Sequence, residues 1–328
     1  MTAPAVETAA LSCAYGSRLA LDGATLSVAR GEIFALLGPN GGGKTTLFRI
    51  LATLLAPTSG TFRVDGLDPA ADVREVRRRL GVVFQAPSLD RKLTVSENLA
   101  LQGALYRRSG PALRARIGDL LRTFHLEDRA SDLVETLSGG LARRVEIAKA
   151  LLHGPSVLLL DEPSTGLDPG ARRDLVTLLV DLARSGAAVL LTTHLFDEAD
   201  AAHRIGILDR GRVVALGTPS ALKAEVGGDV VTVETREEGG APALAGEIAA
   251  RFGEDAGRVA AVGGTVRIER PGGHTFVPAL VEAFPGRFRS LTLGAPSLED
   301  VFIDRTGRAF READAEEPAA AGAAGGAA

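Results

Sequence analysis

The sequence predicts an α/β protein built on a parallel sheet, with a helical insertion in its core and a smaller α+β domain after it. Three observations point there. Short runs rich in Val and Leu alternate with helically spaced stretches through residues 1 to about 220, the pattern of buried parallel strands joined by helices. Between about 88 and 152 the alternation gives way to helical spacing alone. Beyond 220 a β-α-β-β-α-β order can be traced, which is the ferredoxin-like pattern.

Taken in order, Glu32 to Leu37 reads as a strand ending in glycine, and Lys44 to Leu55 as a helix. Leu80 to Phe84, Ser156 to Leu160 and Ala187 to Thr192 are apolar runs too short for helices and read as buried strands. In the insertion, Thr94 to Tyr106 and Pro111 to Phe124 carry helical spacing with polar breaks. The turn-forming residues Gly217-Thr218-Pro219-Ser220, followed by Gly227-Gly228, set a boundary near 220 and a first domain over 1–220. A second domain, 221–310, holds a strand at Val230 to Thr235, a helix at Ala241 to Phe252, and strands at Arg258 to Val262 and Thr265 to Glu269. A helix at Phe276 to Phe284 and a strand at Phe288 to Leu293 complete it. Residues 311–328 are alanine, glycine and acid, cannot bury a core, and are expected to be a disordered tail.

Composition narrows the function classes. A formal net charge of −4 over 328 residues argues against wholesale nucleic-acid binding. The lone Cys13 cannot build a disulfide framework. The opening MTAPAVETAA lacks the basic start and apolar core of a signal peptide. No run of about 18 apolar residues is present to span a bilayer, so a membrane role would come through a partner. Lysine is scarce: Lys44, Lys92, Lys149 and Lys223 are the only ones among 37 basic residues.

Lys44 sits in the segment Gly38-Pro39-Asn40-Gly41-Gly42-Gly43-Lys44-Thr45-Thr46, which fits G-x-x-x-x-G-K-[ST]. Glycines let successive backbone N–H groups curl around an anion, and the helix that follows adds its positive N-terminal dipole. Lys44 would reach the β- and γ-phosphates of a nucleotide, and the Thr45 hydroxyl would ligate Mg²⁺. Downstream, Val157-Leu158-Leu159-Leu160-Asp161-Glu162 is a buried strand ending in two carboxylates. Carboxylates at that end of a parallel strand point into the ligand crevice. Beside a phosphate loop, Asp161 would bind Mg²⁺ through water and Glu162 would polarise the attacking water.

Leu137-Ser138-Gly139-Gly140-Leu141 lies shortly before Asp161 and opens a helix running to about Leu152. It resembles the LSGGQ signature of ABC ATPases, with Leu141 where glutamine is usual, so any contact of a glutamine side chain is unsupported here. Further motifs follow the family order over about residues 6–220. Tyr15 resembles the aromatic that stacks on adenine, and Gln85 resembles the Q-loop glutamine that senses Mg²⁺ and water. Ser164-Thr165-Gly166-Leu167-Asp168 is similar to the D-loop, and His194 to the switch histidine near the γ-phosphate. Asp168 before Pro169 is also a helix N-cap signal. His125, His153, His203 and His274 match no motif.

The resemblance implies ATP and Mg²⁺ as cofactors. It implies Glu162, His194 and Gln85 in catalysis. Tyr15, Gly38, Asn40, Gly41, Gly43, Lys44, Thr45, Thr46, Ser138, Gly139, Gly140 and Asp168 would bind nucleotide, and Thr45, Gln85 and Asp161 would hold the metal. In the family the signature turn faces the nucleotide of a partner subunit, so one chain with one copy of each motif implies a nucleotide-dependent homodimer, arranged head to tail. Gly217-Thr218-Pro219 with Leu222-Lys223, and Pro296-Ser297-Leu298-Glu299-Asp300-Val301-Phe302, look like the C-terminal region of daunorubicin-type exporter ATPases. These pair with an ABC-2 type permease, which implies a place on the cytoplasmic face of the cell membrane. The same residues also read locally as a helix start, with Ser297 capping, Asp300 completing a capping box and Val301 and Phe302 packing inward. An alternative is an ABC protein without a permease, acting on nucleic acid or ribosomes. One cassette and no long basic stretch argue against it, the arginines at 74, 77, 78 and 79 forming a solvated face.

Overall fold

The computed structural model describes residues 3–315. The chain divides into two compact units, one of residues up to Gly38 with Gly42–Val213, the other of residues from Val214 on with Pro39–Gly41.

The first unit opens with β1 (Val6–Tyr15) and β2 (Arg18–Val28), then β3 (Ile33–Leu37), α1 (Lys44–Leu51), β4 (Ser59–Val64), α2 (Pro69–Arg79) and β5 (Leu80–Val83). A helical stretch follows: α3 (Val95–Leu105), α4 (Gly110–Thr123) and α5 (Gly139–Leu151). The chain returns with β6 (Val157–Asp161), α6 (Pro169–Arg184), β7 (Ala188–Thr193), α7 (Phe196–Asp200), β8 (Arg204–Asp209) and β9 (Arg212–Gly217), the division between the units falling within β9 after Val213. Six strands form a sheet in the order β5-β6-β7-β3-β8-β9. The pairs β5–β6, β6–β7, β7–β3 and β3–β8 are parallel. Every residue of β3, β6 and β7 is buried, as unbroken apolar runs in a sheet covered on both faces must be. A second, antiparallel sheet in the order β2-β1-β4 lies in the same unit. Its Leu11, Leu21 and Val28 share a core with Leu47, Phe48 and Leu51 of α1.

Local chemistry accounts for the helix ends. Thr94 caps α3 in a reciprocal capping box with Glu97. Asp168 caps α6, with Pro169 at its first position. The two-residue turn from β8 to β9 places both Arg210 and Gly211 at positive φ, as a tight hairpin turn requires.

In the second unit, α8 (Pro219–Val226) precedes β10 (Asp229–Thr235), α9 (Ala241–Phe252), β11 (Arg258–Val262), β12 (Thr265–Arg270), α10 (Gly273–Ala283) and β13 (Phe288–Gly294). The elements follow one another as β-α-β-β-α-β, and the four strands pair in the order β11-β12-β10-β13, antiparallel throughout. Val231, Val233, Val266 and Ile268 pack with Leu244 and Ile248 of α9 and with Phe276 and Leu280 of α10. Beyond the sheet come α11 (Leu298–Thr306) and α12 (Phe310–Ala315). Ser297 and Asp300 close the expected capping box on α11, and Val301 and Phe302 are buried.

Three expectations change. The residues after Gly217 form α8 instead of a bare turn, because the Thr218 hydroxyl accepts the Ala221 N–H and Pro219 preorganises the first turn. The helix from Lys44 ends at Leu51, four residues early, where Ala52 leaves the helix and Thr53 takes positive φ. The expected disordered tail begins with helical residues, since α12 runs to Ala315; its remainder, 316–328, lies outside the described residues.

Candidate functional site

The phosphate-type loop leaves β3 at Gly38 and enters α1 at Lys44. Its glycines are sterically required. A Cβ on Gly38 would stand 2.3 Å from the Leu208 carbonyl, and one on Gly43 would stand 2.7 Å from the Ala20 carbonyl. Gly43 also holds φ 108° and Gly41 φ 70°, a region that L side chains rarely enter. The β8–β9 turn braces the loop, with the Gly211 N–H donating to Gly42 O at 2.9 Å. Asn40, Gly41 and Thr45 are exposed and Thr46 is half-buried. Lys44 is buried, its Nζ donating to Gly38 O at 2.7 Å.

Asp161 ends β6 and Glu162 follows it, with Lys44 of the loop 3.8 Å from the Glu162 carboxylate. Glu162 takes φ 43°, a strained conformation for a side-chain-bearing residue. Its N–H faces Thr192, 3.2 Å from the carbonyl and 3.0 Å from Oγ1. Four side chains converge on the Glu162 carboxylate. Lys44 Nζ is 3.8 Å from Oε1. Gln85 Nε2 donates to Oε2 at 3.3 Å and Thr165 Oγ1 at 3.2 Å. His194 Nδ1 lies 3.3 Å from the same oxygen without the alignment of a hydrogen bond. Gln85, Lys44, Glu162 and His194 are thereby brought together. Such a carboxylate, gripped by neutral donors and one amine, can orient a water on a phosphoryl group bound at the loop.

Asp161 is buried and accepts from Thr192 Oγ1 at 2.6 Å. Burial pushes its carboxyl up; the Thr192 bond and the charges of Lys44 and Arg49 pull it back, while Glu162 adds to the rise. A divalent cation beside it would favour the ionised form. The oxygens of Asp161, Thr45 and Gln85 are the hard donors that suit Mg²⁺. Among the described residues no group of three or more His, Cys, Asp or Glu could hold a metal by itself. A Mg²⁺ that arrives with nucleotide phosphates needs only one or two protein oxygens, so the residues fit it.

The other predicted residues sit elsewhere in the unit. Tyr15 is exposed at the end of β1. Ser138 caps α5, its Oγ accepting the Leu141 N–H at 3.3 Å, and Gly139 and Gly140 form the first turn. Ser138 and Gly139 are exposed. A Cβ on Gly140 would stand 3.0 Å from Ala171 Cβ. Asp168 accepts from Gly170 and Ala171 N–H groups, and the Ala171 bond is first among the causes that lower its pKa. The cap reading of Asp168 holds as geometry.

Sequence reasoning missed Thr192 and Glu198, and gave Thr165, quoted within the D-loop-like segment, no contact with Glu162. Thr192-Thr193 closing an otherwise apolar strand was the available signal for the first. Glu198, four residues after His194 on α7, is 3% exposed. Among the described residues no helix is long and apolar enough to cross a membrane.

The family described as ABC transporter matches residues 21–165. Daunorubicin resistance ATP-binding protein DrrA3 of Streptomyces coeruleorubidus is 40% identical over 304 residues, covering 89% of this chain and 93% of its own. Nod factor export ATP-binding protein I of Paraburkholderia xenovorans is 43% identical over 235 residues, covering 71% and 77%. A solved ATP-binding cassette, a dimer in a post-hydrolysis state bound to ADP and Pi, aligns with a TM-score of 0.59 at 31% identity, covering 65% of this chain and 98% of that one.

Proposed function

Since the chain belongs to the ABC transporter ATP-binding family and is an ABC-type ATPase, we propose that it powers export of a drug-like or lipid-like molecule through a separate ABC-2 type permease. ATP-driven closure of a homodimer would supply the stroke. The observation that carries this reading is the convergence of Lys44, Gln85 and His194 on Glu162 at the mouth of the glycine loop. Relatives named for daunorubicin resistance and Nod factor export support the cargo class. They also speak against the alternative of a permease-free ATPase on nucleic acid or ribosomes. The chain would lie on the cytoplasmic face of the cell membrane, held there by the permease.

In this mechanism the backbone of the loop cradles the phosphates and Lys44 neutralises the charge on the γ-phosphate. Glu162 orients the attacking water, and Gln85 and His194 hold its carboxylate and meet the transferred group. Tyr15 would stack on the adenine. Mg²⁺, held by Thr45, Asp161 and Gln85, would offset phosphate charge when bound. Ser138, Gly139 and Gly140 of a second copy, with that copy's Asp168 nearby, would close over the same γ-phosphate. ATP then bridges two subunits, and its cleavage removes the bridge. ATP shifts the open-to-closed equilibrium only by its higher affinity for the closed state. The solved dimer with ADP and Pi supports such an assembly in the family.

Glu162→Gln tests the reading. It keeps the shape of the side chain, lowers turnover by about 10²–10⁴-fold and leaves ATP binding intact, so the dimer accumulates with ATP. Size-exclusion chromatography with and without ATP reads this directly. A variant that binds ATP and stays monomeric contradicts the closure mechanism.

A further inference from the structure

The loop after β5 runs from Phe84 through Asp90 and carries Gln85, which reaches Glu162. It is pinned to α5 by three side chains spaced i, i+3, i+6, hence close to one helix face. Arg143 Nη1 donates to Phe84 O at 2.9 Å and to Glu146 Oε2 at 2.8 Å. Glu146 Oε1 accepts the Ser88 N–H at 2.6 Å. Lys149 Nζ donates to Ser88 O at 2.6 Å and lies 3.3 Å from Ser88 Oγ. Arg143 and Glu146 are 8% and 5% exposed. The far end of α5 is gripped too: Arg116 donates to Leu151 O at 2.8 Å, Arg108 to His153 O at 2.7 Å, and Tyr106 stacks on His153 at 4.0 Å. The near end of the same helix is Ser138-Gly139-Gly140.

A buried ion pair is an odd choice if adhesion were its only role. Apolar residues of similar volume usually hold two elements together as well or better, and Val145, Ile147, Ala148 and Leu151 already bury α5. What the pair adds is a fixed register between a loop backbone and a helix, through directed bonds at both Phe84 and Ser88.

We infer that Arg143 and Glu146 are positioning residues that make the Gln85 loop and the helix presenting Ser138 move as one body. Occupancy sensed at Glu162 and presentation of the signature turn to the partner copy are thereby coupled. Neither residue touches the reacting atoms. The inference rests on the dimer reading above.

The test uses the full chain, with each variant made alone and on the Glu162→Gln form. Arg143→Met/Glu146→Leu removes the directed bonds and keeps the bulk. Its ATP affinity by calorimetry stays within about twofold, while the ATP concentration for half-maximal dimerisation rises about tenfold, inside the usual range for coupled sites. The kcat for ATP falls by a similar factor at nearly unchanged KM. Glu146→Gln retains an acceptor for the Ser88 N–H and recovers most of the loss. Adding Gln85→Ala to the double variant costs little beyond Gln85→Ala alone, because both break one route. If the double variant does not fold, Lys149→Met, at a half-buried position, shifts the dimer midpoint in the same direction by roughly threefold. A folded double variant, or a folded Lys149→Met, that dimerises at the parent's ATP concentration overturns the inference, as do fully multiplicative losses with Gln85→Ala. A Glu162→Gln parent that never dimerises instead sinks the dimer reading and this inference with it, an outcome separate from an intact parent with an unaffected variant.

Discussion

Glu162 and Glu198 show how two carboxylates near one site are held for different ends. Glu162 is strained at φ 43° and gripped by donors that fix its direction. Glu198 is buried on α7, and neither of its oxygens meets a well-aligned donor. Burial pushes its carboxyl up; the hydroxyls of Thr193 and Ser164 and the charges of Arg172 and His194 draw it back only in part. A raised folded pKa means that the folded state keeps this proton to higher pH than the unfolded chain. The stability it contributes is full below the ordinary value near 4.5 and is lost as pH rises toward the folded value. As pH rises above the ordinary value, the buried carboxyl therefore costs stability that its protonated form keeps. Glu198→Gln, neutral and of the same shape, raises the thermal midpoint at pH 7 by a few degrees, on the order of 2–4 °C per kcal/mol for a unit of this size. The gain shrinks toward pH 4.5. Melting followed by circular dichroism at both pH values checks this, and equal midpoints at pH 7 would refute it.

At the scale of elements, the second unit offers the sharper test. Asp300 closes the capping box with Ser297 and also reaches Arg267, whose Nη1 is 2.8 Å from Asp300 Oδ1 while its Nε is 2.9 Å from Glu269 Oε1. These are ionic contacts without hydrogen-bond alignment. Arg267 is 3% exposed on β12, between Val266 and Ile268 and pointing to the opposite face of the sheet. Ser297→Ala removes a cap and costs about 1 kcal/mol. Asp300→Ala also strips a partner from a buried guanidinium and costs more, about 3–5 kcal/mol. Hydrogen exchange of α11 and β12 amides separates the two: fast exchange confined to α11 for Ser297→Ala, extending into β12 for Asp300→Ala. Equal protection in both variants would mean the Arg267 contact carries no weight.

Elements also mark where the sequence could be read. β3, β5, β6 and β7 were legible because they are unbroken apolar runs. β1 and β2 were not, because register shifts between Thr8 and Leu11 and between Leu11 and Cys13 break their alternation, and Ala10 sits at positive φ. α6 and α8 start with the same chemistry, an acceptor side chain before proline. Only α6 was legible as a helix start, because Gly217 gives the approach to α8 the composition of a turn. In the site, the glycine loop and the Asp161-Glu162 pair declare themselves locally. Thr192 and the Arg143–Glu146 anchor depend on neighbours 30 to 59 positions away, which spacing along the chain does not encode.

For the molecule as a whole, the decisive feature is that the chain carries one glycine loop and one Ser138-Gly139-Gly140 turn. If each active pocket joins the loop of one copy to the turn of another, defects in the two motifs complement each other. Lys44→Ala disables the loop and Ser138→Arg the turn, and either homodimer has two dead pockets. In a heterodimer one pocket receives both defects and the other receives neither. With random pairing, heterodimers are about half of all dimers and half of their pockets work, so an equal mixture recovers up to roughly a quarter of the normal ATPase rate. Two affinity tags isolate the heterodimer and raise the expected recovery to about half per dimer. A site built within one chain predicts a different result: Lys44→Ala alone is dead, and mixing adds nothing to whatever Ser138→Arg retains. Isolated heterodimers that stay inactive would rule out the shared pocket, whatever the phosphate loop binds.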